Sequence, residues 1–116
     1  MMDNINSDNR LYFAATTRNR DSIATVLADY ISPKSLYLEI ASGSGEHGVF
    51  FQKKFSSTIW QTSDPELVHR NSINSWIKNE GLFTKMPEPL NLDVEKRPWP
   101  LNKQLIHLLK GIICIN

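Results

Sequence analysis

Much of what would point to a redox, metal or membrane protein is missing from this chain. It has one cysteine, Cys114, among 116 residues. That excludes an internal disulfide and a zinc site built on several thiolates, and it fits a reducing compartment. Of the three histidines, His69 and His107 have no partners at metal-ligand spacing. The net charge is only +1, too small a field to steer the chain onto nucleic acid or an anionic membrane. No apolar run approaches the roughly 20 residues that cross a bilayer. The opening Met1–Arg10 is polar and lacks the apolar core of a signal peptide. There is no nucleophile elbow and no P-loop lysine. The expected compartment is the cytoplasm, with neither nucleic acid nor membrane as partner.

What is present is ordinary for one globular domain: 41% hydrophobic and 22% charged residues. A chain of this length buries roughly 65% of the surface it exposes when unfolded, enough for one core. Residues 1–9 read as a disordered lead-in and residues 10–116 as the domain. Arg10, Arg18 and Arg20 form either a solvated face or a clamp for a carboxylate-bearing ligand. From Asp21 the spacing of Ile23, Val26, Leu27, Tyr30 and Ile31 predicts a helix, capped by Asn19 or Asp21 and ended at Ser32-Pro33.

The most informative stretch runs from Ser35 to Phe51. Leu36, Leu38 and Ile40 predict a strand; Gly43, Gly45 and Gly48 satisfy G-x-G-x-x-G; Glu46–Phe55 predicts a helix. Such a loop lets a nucleotide-like ligand approach the backbone, and Gly48 allows the helix to pack closely on the sheet. Thr58–Thr62 reads as a second strand. Asp64-Pro65-Glu66 reads as the start of a helix with Gly81 at its C-terminus, and Leu90–Val94 as a third strand. Leu101–Lys110 suggests a turn or two of helix. Ile112–Ile115 then reads as a fourth strand, covered on both faces, with Cys114 as a buried, inert thiol. Trp60, Trp76 and Trp99 are expected in the core; His47 follows the loop and suits either a ligand contact or, as preferred, a surface or capping residue. The fold class is α/β, a Rossmann-like sheet of about four parallel strands with flanking helices.

Two acids bear on the ligand. Asp64 lies at the end of the second strand, nineteen residues past Gly45; it suits either a helix N-cap or a carboxylate accepting both hydroxyls of a ribose. Glu39 sits inside the first strand, four residues before Gly43. A carboxylate there disfavours a pyrophosphate, hence NAD, and favours the cationic S-adenosylmethionine. Asp93 is either a turn residue or an acceptor for an adenine amino group.

Arg-Asn-Arg-Asp (18–21), Leu-Glu-Ile-Ala-Ser-Gly-Ser-Gly-Glu-His (38–47), Trp-Gln-Thr-Ser-Asp-Pro (60–65), Leu-Asn-Leu-Asp-Val (90–94), Trp-Pro (99–100) and Cys-Ile-Asn (114–116) occur in that order. Over residues 10–116 the chain resembles the methyltransferase-like protein 26 family, class I S-adenosylmethionine-dependent methyltransferase-like proteins. The resemblance implies that Glu39, Ala41, Gly43 and Gly45 line the methionine and ribose part of the cofactor. Asp64 would hold the ribose and Asp93 would face the adenine, while Arg18 and Asn19 would close over the site. It leaves the methyl acceptor undefined. Lys110-Gly111 departs from the family's Phe-Asp pair, and Leu101–Leu109 from its short connection. The family's sheet continues after the position of Asn116, so the expectation is a C-terminally truncated domain that keeps the cofactor site without competent catalysis. The alternative is a non-catalytic interaction module that pairs with a partner, or self-associates, through Ile112–Asn116; a further alternative is an NAD-binding fragment.

Overall fold

The computed structural model describes residues 8–115. Met1–Ser7 and Asn116 lie outside, so most of the expected lead-in is not described, nor is the last residue of the expected pairing strand. The elements are α1 (Ala14–Leu27), β1 (Leu36–Ile40), α2 (Glu46–Lys54), β2 (Ile59–Gln61), α3 (Leu67–Asn79), α4 (Lys103–Leu108) and β3 (Leu109–Cys114). Among the described residues the sheet has three strands in the order β2-β1-β3, all parallel. This is an α/β arrangement consistent with a partial Rossmann-like fold.

β1 is central because it is apolar on both faces. Tyr37 pairs in register with Trp60 and Gly111, and Glu39 with Ile113, so these five share one face. Tyr37 and Trp60 belong to a core with Ala24 of α1, Val49 and Phe51 of α2, and Ile73, Trp76 and Ile77 of α3. The three long helices therefore pack on that face. Leu36 and Leu38 point the other way, as does Gln61, whose amide donates to the Glu88 carbonyl at 2.8 Å. Irregular chain after Pro87, rather than a helix, runs over this second face.

The third expected strand, Leu90–Val94, is reduced to a single bridge. Leu90 makes one parallel bridge with Ser63, exchanging Leu90 N–H to Thr62 O at 3.1 Å and Asp64 N–H to Leu90 O at 3.0 Å. Pro87 and Pro89 cannot donate on one side of it. On the other side the Asp93 carboxylate accepts from the Glu95 N–H at 3.0 Å and turns the chain, so local side-chain bonding wins over the ladder.

Other boundaries also move. α1 begins at Ala14, not Asp21, which puts Asn19 and Asp21 inside the helix rather than at its cap. Two alanines favour the earlier start. Tertiary bonds fix it: the Leu11 N–H donates to Ser72 Oγ at 2.8 Å, and Trp76 Nε1 donates to the Leu11 carbonyl at 3.0 Å. α3 starts after Glu66, so Asp64 is not its N-cap. Its other end matches expectation: Gly81 has φ +70°, and the N–H groups of Gly81 and Leu82 return to the carbonyls of Lys78 and Ile77, closing the helix as a Schellman turn does.

β3 is not covered on both faces. Its residues alternate between half-buried and exposed, with Ile112 51% exposed. Cys114 is exposed, not buried. Trp60 and Trp76 are core residues, whereas Trp99 is only half-buried and its Nε1 donates to the Val94 carbonyl at 3.2 Å. Among the described residues no helix is long and apolar enough to cross a membrane.

Candidate functional site

The carboxyl ends of β1 and β2 are joined by polar bonds in which serines do most of the work. The Ser42 N–H donates to the Ser63 carbonyl at 2.8 Å, and the Ser63 N–H donates to Ser42 Oγ at 3.0 Å. Ser63 Oγ donates to the Glu39 carbonyl at 2.7 Å. Ser72 Oγ of α3 donates to the Ser44 carbonyl at 2.6 Å. These bonds hold the glycine loop while β1 hands over to α2.

Within the loop the two glycines have different surroundings. Gly45 has φ +93° and is buried; a Cβ there would lie 2.8 Å from the Ile73 Cα. Glycine is required because the loop backbone presses on α3, and this glycine faces α3 rather than open space. Gly43, φ +62°, is half-buried, with only the Phe13 ring edge near, 3.5 Å from the position of an added Cβ. Ala41 also has positive φ, +52°, and is exposed. A non-glycine residue in that region stores backbone strain.

Asp64 is buried, and its carboxylate reaches across to the loop. Oδ2 accepts from the Gly43 N–H at 3.0 Å; Oδ1 accepts from the Glu66 N–H and from His69 Nδ1, both at 3.0 Å. A carboxylate offers about four acceptor positions, so three donors leave one vacant. Because the carboxylate only accepts, His69 carries a proton on Nδ1 and donates it to Asp64. His69 also meets Phe13 edge-on at 6.3 Å between ring centroids. Neither His69 nor Phe13 is evident as a site residue in the sequence. The available signal was a histidine five positions after a strand-end aspartate, which returns to it over the first turn of the following helix.

Glu39 is in the same strand-end network but beneath the loop. It is fully buried, and its Oε1 accepts from Trp60 Nε1 at 3.0 Å. A Cβ on Gly48 would lie 3.3 Å from that oxygen and 2.9 Å from Thr62 Cγ2, so the glycine does allow close helix–sheet packing. Burial pushes the Glu39 carboxyl up to about 7, against the Trp60 hydrogen bond, which lowers it; the Asp64 charge raises it further.

The remaining expected residues lie around this edge. Asp93 is a turn residue that lines a cavity of about 440 Å³ with Pro65, Asn91 and Lys96. Asn19 Oδ1 meets His47 Nε2 at 3.1 Å, which ties α1 to the first turn of α2. His47 stacks on Phe51, and burial followed by the nearby Arg20 charge lowers its pKa. Arg18 is exposed on α1. The structure thus brings Glu39, Gly43 and Asp64 together, sets Gly45 against α3, and leaves Arg18 apart.

The family described as "Protein of unknown function (DUF938)" matches residues 10–116. The chain belongs to the DUF938 family. The DUF938 match covers every residue of the strand-end network, from Phe13 to His69, as well as β3. No solved structure matches the chain.

Proposed function

We propose that this edge binds the methyl donor of an S-adenosylmethionine-dependent methyltransferase-like protein, akin to the methyltransferase-like protein 26 family. The observation that carries the reading is the bond from the Gly43 N–H to the Asp64 carboxylate. It places a half-open glycine and a strand-end acid side by side, where parallel α/β sheets bind ligands. The residues fit the donor's adenosyl end. The vacant acceptor position on Asp64 suits a ribose hydroxyl, and the cavity beside Pro65 and Asp93 suits the base. Glu39 acts from below: a carboxyl poised near neutrality favours a cationic ligand when ionised. Arg18 and Asn19 of α1, the latter held to His47, are the residues that would close over the site. The donor supplies an activated methyl group; the protein's part is to hold the donor and exclude water from it.

Calorimetric titration with S-adenosylmethionine, its demethylated product and NAD tests this. Heat with the first two and none with NAD is expected. Gly43→Gln, whose side chain emerges where only Phe13 is near, should abolish the heat while circular dichroism shows the fold retained. Silence with all three ligands favours the second reading, an interaction module. That reading rests on the exposure of Ile112 and on β3 pairing on one side only among the described residues. Concentration-dependent association by light scattering, lost in Ile112→Lys, would then be the expected result.

A further inference from the structure

A cleft of about 490 Å³ lies on the outer side of α2, bounded by α1 and α3. That volume is in the range of small-molecule sites. Val49 and Phe50 of α2 and Trp76 of α3 give it apolar walls. Glu46 lines the end nearest the glycine loop, and Lys54 lies two turns further along α2.

Two polar groups at this cleft are unmatched. Glu46 is only 4% exposed. Its Oε2 meets Thr17 Oγ1 at 3.3 Å and Arg20 Nη1 at 3.4 Å. Its Oε1 has no partner among the described residues, and neither does Arg20 Nε. A buried carboxylate oxygen and a buried guanidinium N–H without partners are unfavourable unless something else bonds to them. Both atoms are closed off from solvent, so a ligand reaches them by displacing the Arg20 side chain. That side chain is one-third exposed, and its hold on Glu46 is a single long contact.

Charge and shape narrow the ligand. Lys53 is paired with Glu80 at the cleft, and the remaining cations, Arg20 and Lys54, both lie over the Phe50 ring, at 4.8 Å and 5.9 Å from its centroid. Two cations flanking one ring attract an anion. The unmatched Glu46 oxygen takes only a donor, and a hydroxyl brings one without adding a positive charge beside Arg20. We propose that this cleft binds a small hydroxy acid with an aromatic or branched apolar body. The carboxylate accepts from Arg20 Nε–H and Lys54 Nζ, the hydroxyl donates to Glu46 Oε1, and the body lies between Val49 and Trp76. This site is separate from the Gly43–Asp64 edge and does not depend on the methyl-donor reading.

The test is a titration of the full chain, labelled with nitrogen-15, with 3-phenyllactate as the probe. The Arg20 Nε–H and Trp76 indole N–H resonances should shift together and saturate. 3-Phenylpropionate, which lacks the hydroxyl, should bind about tenfold more weakly, because a buried acceptor built for a donor rejects the analogue without one. Lys54→Ala, a surface change that leaves the fold intact, should weaken both acids, and Glu46→Met should remove the preference for the hydroxyl. If Glu46→Met fails to fold, the two acids on the natural chain and Lys54→Ala decide the matter. The proposal is overturned if neither resonance shifts at millimolar probe, if the two acids bind equally, or if phenethylamine binds as well as phenyllactate.

Discussion

The loop after β1 and the segment from α4 to β3 are held in opposite ways. Around the loop, Ser42, Ser44, Ser63, Asp64 and Ser72 each make a hydrogen bond that ties it down, and all five are buried. In α4 no residue is buried, and Ile106, Leu108 and Ile112 are exposed. The first region is rigid because moving it breaks several buried hydrogen bonds together. The second is fixed by the Asn102 cap, whose carboxamide oxygen accepts from the Leu105 N–H at 2.7 Å, and by pairing of β3 with β1. Positional precision, which a ligand site needs, belongs to the first region; uncovered apolar surface, which association needs, belongs to the second.

Substitutions should separate the two regions steeply. Gly45→Val should be the most damaging: it sets a branched side chain at φ +93° and 2.8 Å from the Ile73 backbone. A loss of about 4 kcal/mol or outright unfolding is expected in urea denaturation. Phe51→Ala, at a fully buried core position, should cost about 3–5 kcal/mol, whereas Leu108→Ala in α4 should cost under about 1 kcal/mol. Similar losses from the two would erase the distinction.

Glu39 sharpens the comparison through pH. Its folded pKa is raised from 4.5 to about 7, so its contribution to stability is full below about pH 4.5 and is lost as pH rises through 7. At roughly 1.4 kcal/mol per pKa unit, the change is about 3–4 kcal/mol. Glu39→Gln keeps an oxygen to accept from Trp60. It should remove that decline and make the protein more stable than the parent at pH 8. Denaturation midpoints across pH 5–8 that fall equally in both proteins would sink the prediction.

Two smaller effects complete the series. Gly81→Ala meets no steric obstacle, since nothing lies within 4 Å of the added Cβ, but adopts φ +70°; a loss of about 1 kcal/mol is expected. Ile112→Lys should change stability by less than about 0.5 kcal/mol. Its visible effect should be on light scattering, as reduced self-association.

The strand–loop–helix core of the fold was legible because local chemistry dictated it. Alternating Leu36, Leu38 and Ile40, the glycines and the Gly81 stop each act within a few residues. The strand expected at Leu90–Val94 failed because β propensity does not reveal whether a neighbouring strand will stay in register. Asp93 took the local turn instead. The early start of α1 was hidden for a related reason, since its anchors, Ser72 and Trp76, are about sixty residues away. In the site, Glu39, Gly43 and Asp64 were named from spacing alone, but His69 required knowing that α3 begins after Glu66.

By itself the sequence determined an α/β chain with a glycine loop at the end of a buried strand and acids at two fixed intervals around it. Side-chain period and backbone freedom are local properties, readable in order along the chain. Only the tertiary structure decided that Asp64 turns to the Gly43 N–H, that Gly45 is pressed against Ile73, and that among the described residues Glu46 Oε1 finds no partner and β3 pairs on one side only. Each of these depends on which distant groups compete for the same donor or the same space, and that competition is settled only when the elements pack.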